Sequence, residues 1–255
     1  MQLLKTRKFL LLMLIIVVAV IVIEAFLRHD VDSLAFIQQE KTGNDKNDKE
    51  NLPLAIFSDP QPNDQIRHTR SSRYDGRLPK PLNEMRDSGL MRITHWWINL
   101  PGLPTAESNA VVLGKVVAAS AYLSNDKSNV YSEFTIQVEE IFKDESGSLN
   151  LSGTVVALRE GGRVQLPDGR ILYVMSDQGL PRKEWRYVFF LKYNSSANDY
   201  NIITGYLLNQ GIVSLLDEVD LGRFSTYKNM DEQNFLNTVK AAVVNPPEAP
   251  SDIKR

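Results

Sequence analysis

The stretch from residue 110 to residue 216 most constrains the fold, because its apolar residues alternate with polar ones at the period of a β-strand. Residues 130–142 show this pattern most clearly. The alternating set that starts at Val130 and ends at Phe142 is mostly apolar, whereas the set that starts at Tyr131 is mostly polar. Since neighbouring side chains of a strand point to opposite faces, the first set is predicted to face a core and the second mostly to face water.

Further strands are predicted at residues 110–123, 154–160, 163–166, 170–176, 185–193, 200–209 and 212–216. Asp168-Gly169 predicts a hairpin between two of them, and Gly114 predicts a bulge or a close backbone approach. No long helical period interrupts the run, so the sheet is predicted to be mostly antiparallel. A small open sheet would expose an apolar face, which favours closure. The predicted fold is mainly β, a small antiparallel barrel of the oligonucleotide/oligosaccharide-binding (OB) type, with a β-sandwich as the alternative.

The N-terminal part of the chain contains an apolar run from Phe9 to Leu27, preceded by Lys5, Arg7 and Lys8. A helix of this length spans about 28 Å, enough for the hydrocarbon core of a bilayer. Because the positive flank is N-terminal, the N-terminus is predicted to be cytoplasmic and the rest of the chain extracytoplasmic. Residues 1–27 are therefore predicted to be a membrane anchor, or alternatively a signal sequence whose cleavage would release a secreted protein.

Residues 28–92 are polar, charged and without a sustained hydrophobic period. Such a segment cannot offset the entropy of folding by itself and is predicted to be a flexible tether, spanning roughly 45 Å as a coil. Its basic residues recur at spacings of three and four: Arg67, Arg70, Arg73, Arg77 and Lys80. On a helix they would form one basic stripe. Gly76 and Pro79 disfavour a helix, so the segment is interpreted as a solvated basic tether.

Residues 93–243 are predicted to form the β-barrel domain with a C-terminal helix, and residues 244–255 a disordered tail. Asn229 and Glu232 form a candidate capping pair for that helix. Its predicted apolar stripe comprises Phe235, Leu236, Val239, Ala242 and Val243. Near the start of the domain, His95-Trp96-Trp97 is predicted to cover one end of the barrel.

No residue pattern in the chain indicates a metal or cofactor site. The three histidines lack ligand spacing, and there is no cysteine. Nucleotide-binding fingerprints and nucleophile elbows are absent from the sequence. The net charge of −2 gives no general attraction to nucleic acid. Residues 124–129 are rich in oxygen donors, but they lack the acidic pattern of a calcium loop and predict an Asx-type turn.

Glu140 is the one carboxylate that suggests a reaction, because alternation places it on the apolar face of its strand. Either Glu140 lies where the strand leaves the core, or a carboxylate in that position needs a cationic partner, such as Arg159 or Arg163, or a raised pKa. An acid with a raised pKa would suit a hydrolase that uses Glu140 or another buried carboxylate, which is therefore one alternative function.

Several segments resemble a set of uncharacterised bacterial exported proteins. The similarity covers about residues 94–217 and is carried by residues 112–116, 122–126, 131–143, 161–162, 187–191 and 200–205. More loosely, a strand ending in a lysine turn, the glycine pair and the Tyr-Val-Phe-Phe-Leu strand are similar to netrin-type OB barrels. That group includes protease inhibitors, so the resemblance implies an inhibitor-like module as a further alternative. Those barrels carry cysteines, and this chain has none.

The function that best fits these features is a non-catalytic binding or scaffolding module anchored in the cell envelope. Its ligand would be an envelope protein or polymer, and nucleic acid is not expected. The candidate ligand-binding residues are an exposed loop pair and three aromatic residues: Asn125, Asp126, Tyr122, Tyr131 and Trp185.

Overall fold

The computed structural model describes residues 50–59, 64–86, 89–92, 99–217 and 222–248 of the 255-residue chain. Every element named here lies in the compact unit Leu52–Arg255. The described strands are β1 Leu54–Ile56, β2 Gly89–Arg92, β3 Ala110–Leu123, β4 Val130–Asp144, β5 Thr154–Glu160, β6 Gly162–Gln165, β7 Ile171–Ser176, β8 Arg186–Asn194, β9 Asp199–Asn209 and β10 Ile212–Leu215. The helices are α1 Gln65–Ser72, α2 Gly222–Ser225 and α3 Glu232–Val244, with a 3-10 turn at Leu82–Glu84.

Five strands close into a ring. β3, β4 and β5 pair in antiparallel order, β5 pairs with β9 in parallel, β9 pairs with β8, and β8 returns to β3. β10 extends the ladder at the C-terminal end of β9. The prediction of a mainly β fold that closes on itself is confirmed. Predicted strand bounds are correct for β3 and β5 and differ by one or two residues for β4 and for β6 to β10, whereas β1 and β2 lie in the predicted tether and were not predicted as strands.

The apolar faces of the ring form two main clusters. One lies on the inner faces of the strands and includes Val112, Phe134, Ile136 and Phe189. The other lies between the outer faces and α3 and includes Val111, Val188, Phe190, Tyr206 and Phe235. As predicted, the alternating set of β4 from Val130 to Val138 is buried. The polar set of β4 does not all face water, since Tyr131 and Glu133 are also buried.

Gly114 of β3 lies where the backbones of β3 and β4 approach closely, as predicted. A Cβ atom added there would lie 2.5 Å from Ile136 Cγ2 and 2.8 Å from the carbonyl oxygen of Gln137. The register between the two strands also shifts at this glycine. Only glycine therefore fits without displacing a buried side chain and a strand backbone.

The same irregularity explains why Glu140 lies where β4 leaves the core, which is one of the arrangements expected from the sequence. The register passes from Val138 to Glu140 and leaves Glu139 without a partner on β3. An extra residue shifts the alternation of a strand, so Ile141 packs against the inner cluster. The Glu140 side chain is instead 39% exposed, and its Oε1 lies 2.9 Å from Lys240 Nζ on α3. Glu140 therefore gives no support to the hydrolase alternative.

The described part of residues 52–92, here called the strap, differs from the predicted flexible tether. β1 pairs in parallel with β6 and β2 pairs in parallel with β7, so the strap covers both edges of the β6–β7 hairpin. Its buried residues include Ala55, Phe57, Tyr74 and Leu82. The segment has too few apolar residues for a core of its own, but it buries them on the barrel. The hairpin turn predicted at Asp168-Gly169 is confirmed.

The C-terminal helix is confirmed as α3, and Phe235, Leu236, Val239 and Ala242 are buried. Its N-cap is Asp231, whose side chain accepts a hydrogen bond from the Asn234 amide at 3.1 Å. The predicted cap at Asn229 is wrong, because that residue has a φ of 65° and lies in the preceding turn. α3 packs its apolar stripe against the outer faces of β3, β8 and β9.

Several predicted features lie outside the described ranges. They are the apolar run from Phe9 to Leu27, residues 28–49 of the predicted tether, the His95-Trp96-Trp97 segment and residues 249–255 of the predicted tail. Among the helices that the structure does describe, none combines the length and the apolar character needed to cross a bilayer.

Candidate functional site

Four of the five predicted binding residues lie at one end of the β3–β4 ladder. Tyr122 and Tyr131 are direct cross-strand partners, and Asn125 and Asp126 lie in the turn that connects the same two strands. Trp185 lies elsewhere, since its carbonyl accepts a hydrogen bond from the Val116 amide. Val116 is six residues, or about 20 Å, along β3 from Tyr122. The predicted set therefore divides into one surface of four residues and a separate tryptophan.

The turn between β3 and β4 is of the predicted Asx type. Asp126 Oδ1 accepts hydrogen bonds from Ser124 Oγ at 2.7 Å and from the Ser128 amide at 2.9 Å. Partial burial raises the pKa of Asp126, but hydrogen bonds from Ser128, Ser124 and Gly76 outweigh that effect and lower the pKa to about 2. Asp126 is therefore ionised at neutral pH and fixes the shape of the turn.

α1 lies directly on this surface. The guanidinium carbon of Arg67 is 3.6 Å from the centre of the Tyr122 ring, a cation–π contact. Tyr74, just after α1, stacks on Tyr131 with ring centres 4.5 Å apart and planes 7° apart. Ser71 Oγ and the Tyr131 hydroxyl form a buried hydrogen bond of 3.1 Å.

The polar contacts of the turn also go to the segment around α1. Asn125 Nδ2 donates to the carbonyl of His68 at 3.1 Å, and the Asp126 amide donates to Asp75 Oδ1 at 3.1 Å. In the opposite direction, the Gly76 amide donates to Asp126 Oδ2 at 2.7 Å. The surface predicted to bind a ligand thus holds a peptide segment of its own chain.

Two buried carboxylates complete the surface and were not predicted. The Asp199 side chain is 0% exposed and that of Glu133 is 9% exposed. Asp199 Oδ2 accepts from Arg70 Nε and from Arg73 Nη2, each at 2.7 Å. Glu133 lies 3.1 Å from Arg70 Nη1 and 2.5 Å from Arg67 Nη1. We call the combined surface the docking face; it consists of Tyr122, Asn125, Asp126, Tyr131, Glu133 and Asp199.

Although the sequence disfavours a helix here, Gln65–Ser72 form one, and the basic stripe exists over three residues. Arg67 and Arg70 lie on α1 and Arg73 is its C-cap, and all three point to the two carboxylates. For these residues the interpretation as a solvated tether is wrong, because the docking face supplies their counter-charges. Arg77 remains exposed, and its Nη2 donates to the Arg73 carbonyl at 3.1 Å. α1 ends at Ser72, before Gly76, whose φ is +66°.

A second buried ion pair joins Arg159 and Asp217 at the far side of β5. Arg159 Nη1 lies 2.7 Å from Asp217 Oδ1. The same carboxylate also accepts hydrogen bonds from Thr204 Oγ1 at 2.7 Å and from the Gly179 amide at 2.8 Å. Burial raises the pKa of Asp217, although the charge of Arg159 opposes this. With both oxygens engaged, the pair ties loops together and offers no free group to a ligand.

Within the described ranges, no three histidine, aspartate or glutamate side chains converge as ligands for a metal ion. No protein-family model matches the chain, and no curated protein matches its sequence.

Proposed function

We propose that this protein is a non-catalytic binding or scaffolding module of the cell envelope and that the docking face is its binding surface. The observation that supports this is that the surface formed by four of the predicted residues already holds a peptide segment of the same chain, α1 and the turn after it. The contacts at this surface are those of a recognition site: stacked tyrosines, a cation–π pair and charge-assisted hydrogen bonds.

The strand order supports an OB-like barrel. Three consecutive antiparallel strands, one parallel contact between β5 and β9, and a return through β8 to the first strand form a five-stranded closed ring. OB folds bind ligands on the face of their second and third strands and with the loops between strands 1–2 and 4–5. The docking face uses β4, the β3–β4 turn and Asp199 after the β8–β9 loop, which are the equivalent positions. This is an argument from fold analogy.

The charge of the docking face supports a protein or another cationic ligand over nucleic acid. Glu133 and Asp199 are both carboxylates, and each contacts guanidinium groups. A polyanion such as nucleic acid would be repelled by two carboxylates, and it would also have to displace the bound arginines. An envelope protein with exposed basic residues is the partner that fits.

The location in the envelope is proposed from the sequence alone. A helix from Phe9 to Leu27 would anchor the chain with its N-terminus in the cytoplasm and the barrel outside, and cleavage of the same segment would give a secreted form. The resemblance to bacterial exported proteins with netrin-like barrels agrees with either arrangement.

The proposal is tested by photo-cross-linking from the full chain in its native membrane. A photoreactive residue at Asn125, on the docking face, is compared with one at Leu151, which is 64% exposed and belongs to the β4–β5 connection. The expected result is a discrete protein adduct from position 125 that is absent from position 151. The adduct should also be lost when Glu133→Gln and Asp199→Asn are combined. Equal adducts from both positions, or an adduct insensitive to the two carboxylates, would refute the docking face as the binding surface.

A further inference from the structure

We infer that residues 64–77, here called the latch, are a displaceable occupant that keeps the docking face closed, and that the ligand which replaces the latch is an arginine-bearing helix of a partner protein. This inference rests on the proposed function and adds to it both a class of partner and a means of regulation. The latch comprises α1 and the turn after it, including Tyr74 and Gly76.

Charge, more than apolar burial, holds the latch in place. α1 has eight residues, of which Ser71 is the one that is buried, and its most apolar residue, Ile66, is 48% exposed. A helix this short does not persist on its own in water. Its structure therefore depends on the contacts of three arginines with two carboxylates and on the stacking of Tyr74.

The barrel does not need the latch for its main core. Among the described residues, the two large clusters of the ring include no residue before Leu100. Tyr74 belongs to a separate small cluster with Tyr131 and Leu158. Release of the latch would expose this small cluster and leave the interior of the ring and the packing of α3 unchanged.

The fit between the latch and the docking face is imperfect. Asp199 Oδ1 and Arg73 Nε are buried, and within the described part of the chain neither has a hydrogen-bond partner. Buried polar atoms without partners weaken a complex. A helix that supplied a donor to Asp199 Oδ1 would therefore bind the same face more tightly than the latch does.

The partner's chemistry follows from what the docking face contacts now. Two fixed carboxylates select guanidinium groups, which bind carboxylates in defined planar geometry, over the point charge of lysine. The latch presents arginines at positions 67, 70 and 73 and a stacking tyrosine at position 74. A partner helix is therefore expected to carry arginines at intervals of three, followed by an aromatic residue.

Covalent attachment gives the latch an advantage over a free peptide. A tethered ligand acts at an effective concentration on the order of 1 mM. A free peptide with the sequence of residues 64–77 at about 10 μM is therefore expected to leave the wild-type protein almost unoccupied. The same peptide should bind once the tethered copy has lost its arginines.

The test uses the full chain and a fluorescently labelled synthetic peptide of residues 64–77. In the release variant, the changes Arg67→Gln, Arg70→Gln and Arg73→Gln are combined. The expected result, by fluorescence anisotropy, is at least tenfold tighter peptide binding to this variant than to wild type. A control peptide in which the same arginines are glutamine should not bind either protein.

The inference is overturned if the release variant binds the peptide no better than wild type. It is also overturned if the amides of α1 exchange hydrogen as slowly in that variant as in wild type, because charge would then not hold the latch. If the peptide does not bind but photo-cross-linking still gives the adduct from position 125, only the latch is refuted. If the adduct from position 125 persists when both carboxylates are replaced, the proposed function itself is refuted.

Discussion

Arg70 is the residue on which the attachment of α1 most depends, because it contacts both buried carboxylates. Its Nε lies 2.7 Å from Asp199 and its Nη1 lies 3.1 Å from Glu133. The change Arg70→Met keeps most of the side-chain stem and removes both contacts. Each hydrogen bond to a charged group contributes about 1.5–3 kcal/mol, and breaking a buried ion pair from one side costs about 3–5 kcal/mol. Because Asp199 still contacts Arg73 and Glu133 still contacts Arg67, we expect the free energy of opening of α1 to fall by about 3 kcal/mol.

Native-state hydrogen exchange on the full chain measures this loss directly at α1. A change of about 3 kcal/mol corresponds to a decrease of roughly 150-fold in amide protection, or to complete loss where the opening free energy is smaller. Arg77→Met is the matched control, because Arg77 is exposed and the hydrogen bond that it donates within the described residues goes to a backbone carbonyl and not to a carboxylate. That control should change protection of α1 by less than about 0.5 kcal/mol.

A cycle with Asp199→Asn separates the ion pair from the general effects of each substitution. If Arg70 and Asp199 interact as the structure indicates, the two single variants together predict too large a decrease in the opening free energy of α1. The decrease measured for the double variant should be smaller than their sum by about 1 kcal/mol or more. The reasoning is refuted if Arg70→Met leaves protection of α1 within threefold of wild type. It is refuted equally if the two substitutions are additive.

Three further predictions concern the barrel and its turns. Gly114→Ala should lower the free energy of unfolding by about 1–3 kcal/mol in urea titration, because the added Cβ would lie 2.5 Å from Ile136 Cγ2. Gly89→Ala is the control, since the nearest heavy atom to its added Cβ is 4.0 Å away. It should change the free energy of unfolding by less than about 0.5 kcal/mol. The pKa of Asp126 is lowered to about 2, so the stability that its carboxylate adds is complete above the pKa of about 4 in the unfolded chain and is lost as the pH falls towards 2. The difference in urea midpoint between wild type and Asp126→Asn should therefore shrink between pH values of about 4 and 2. A difference that stays constant over this range would contradict the prediction. Glu140→Gln should cost less than about 1 kcal/mol in the same titration, because its partner is an exposed lysine, and a larger loss would indicate a buried role.

Local alternation explains why the barrel could be predicted from the sequence. The inward set of β4 from Val130 to Val138 has a period of two along one strand, and nothing distant is needed to recognise it. The departure from alternation at Glu140 is also local in origin. A bulge shifts the alternation by one residue, and its only sequence signal was Gly114 on the partner strand.

The docking face could be predicted only in part, for a related reason. Tyr122, Asn125, Asp126 and Tyr131 belong to a single hairpin, so their proximity follows from the turn that joins β3 to β4. Trp185 shares only its aromatic character with these residues and lies at a different part of the ring, beside Val116.

The carboxylates of the docking face were missed because their partners are distant in sequence. Arg70 and Asp199 are 129 residues apart, and Arg70 and Glu133 are 63 apart. Alternation places Glu133 on the face of β4 that would contact water if the strand were uncovered. In the structure α1 covers this face, so Glu133 is buried. Arginines at a spacing of three in a segment with few apolar residues were the available signal. Such a stripe can fold only against counter-charges, so its occurrence beside a β-domain predicts acidic residues on a strand face that would otherwise be solvent-exposed.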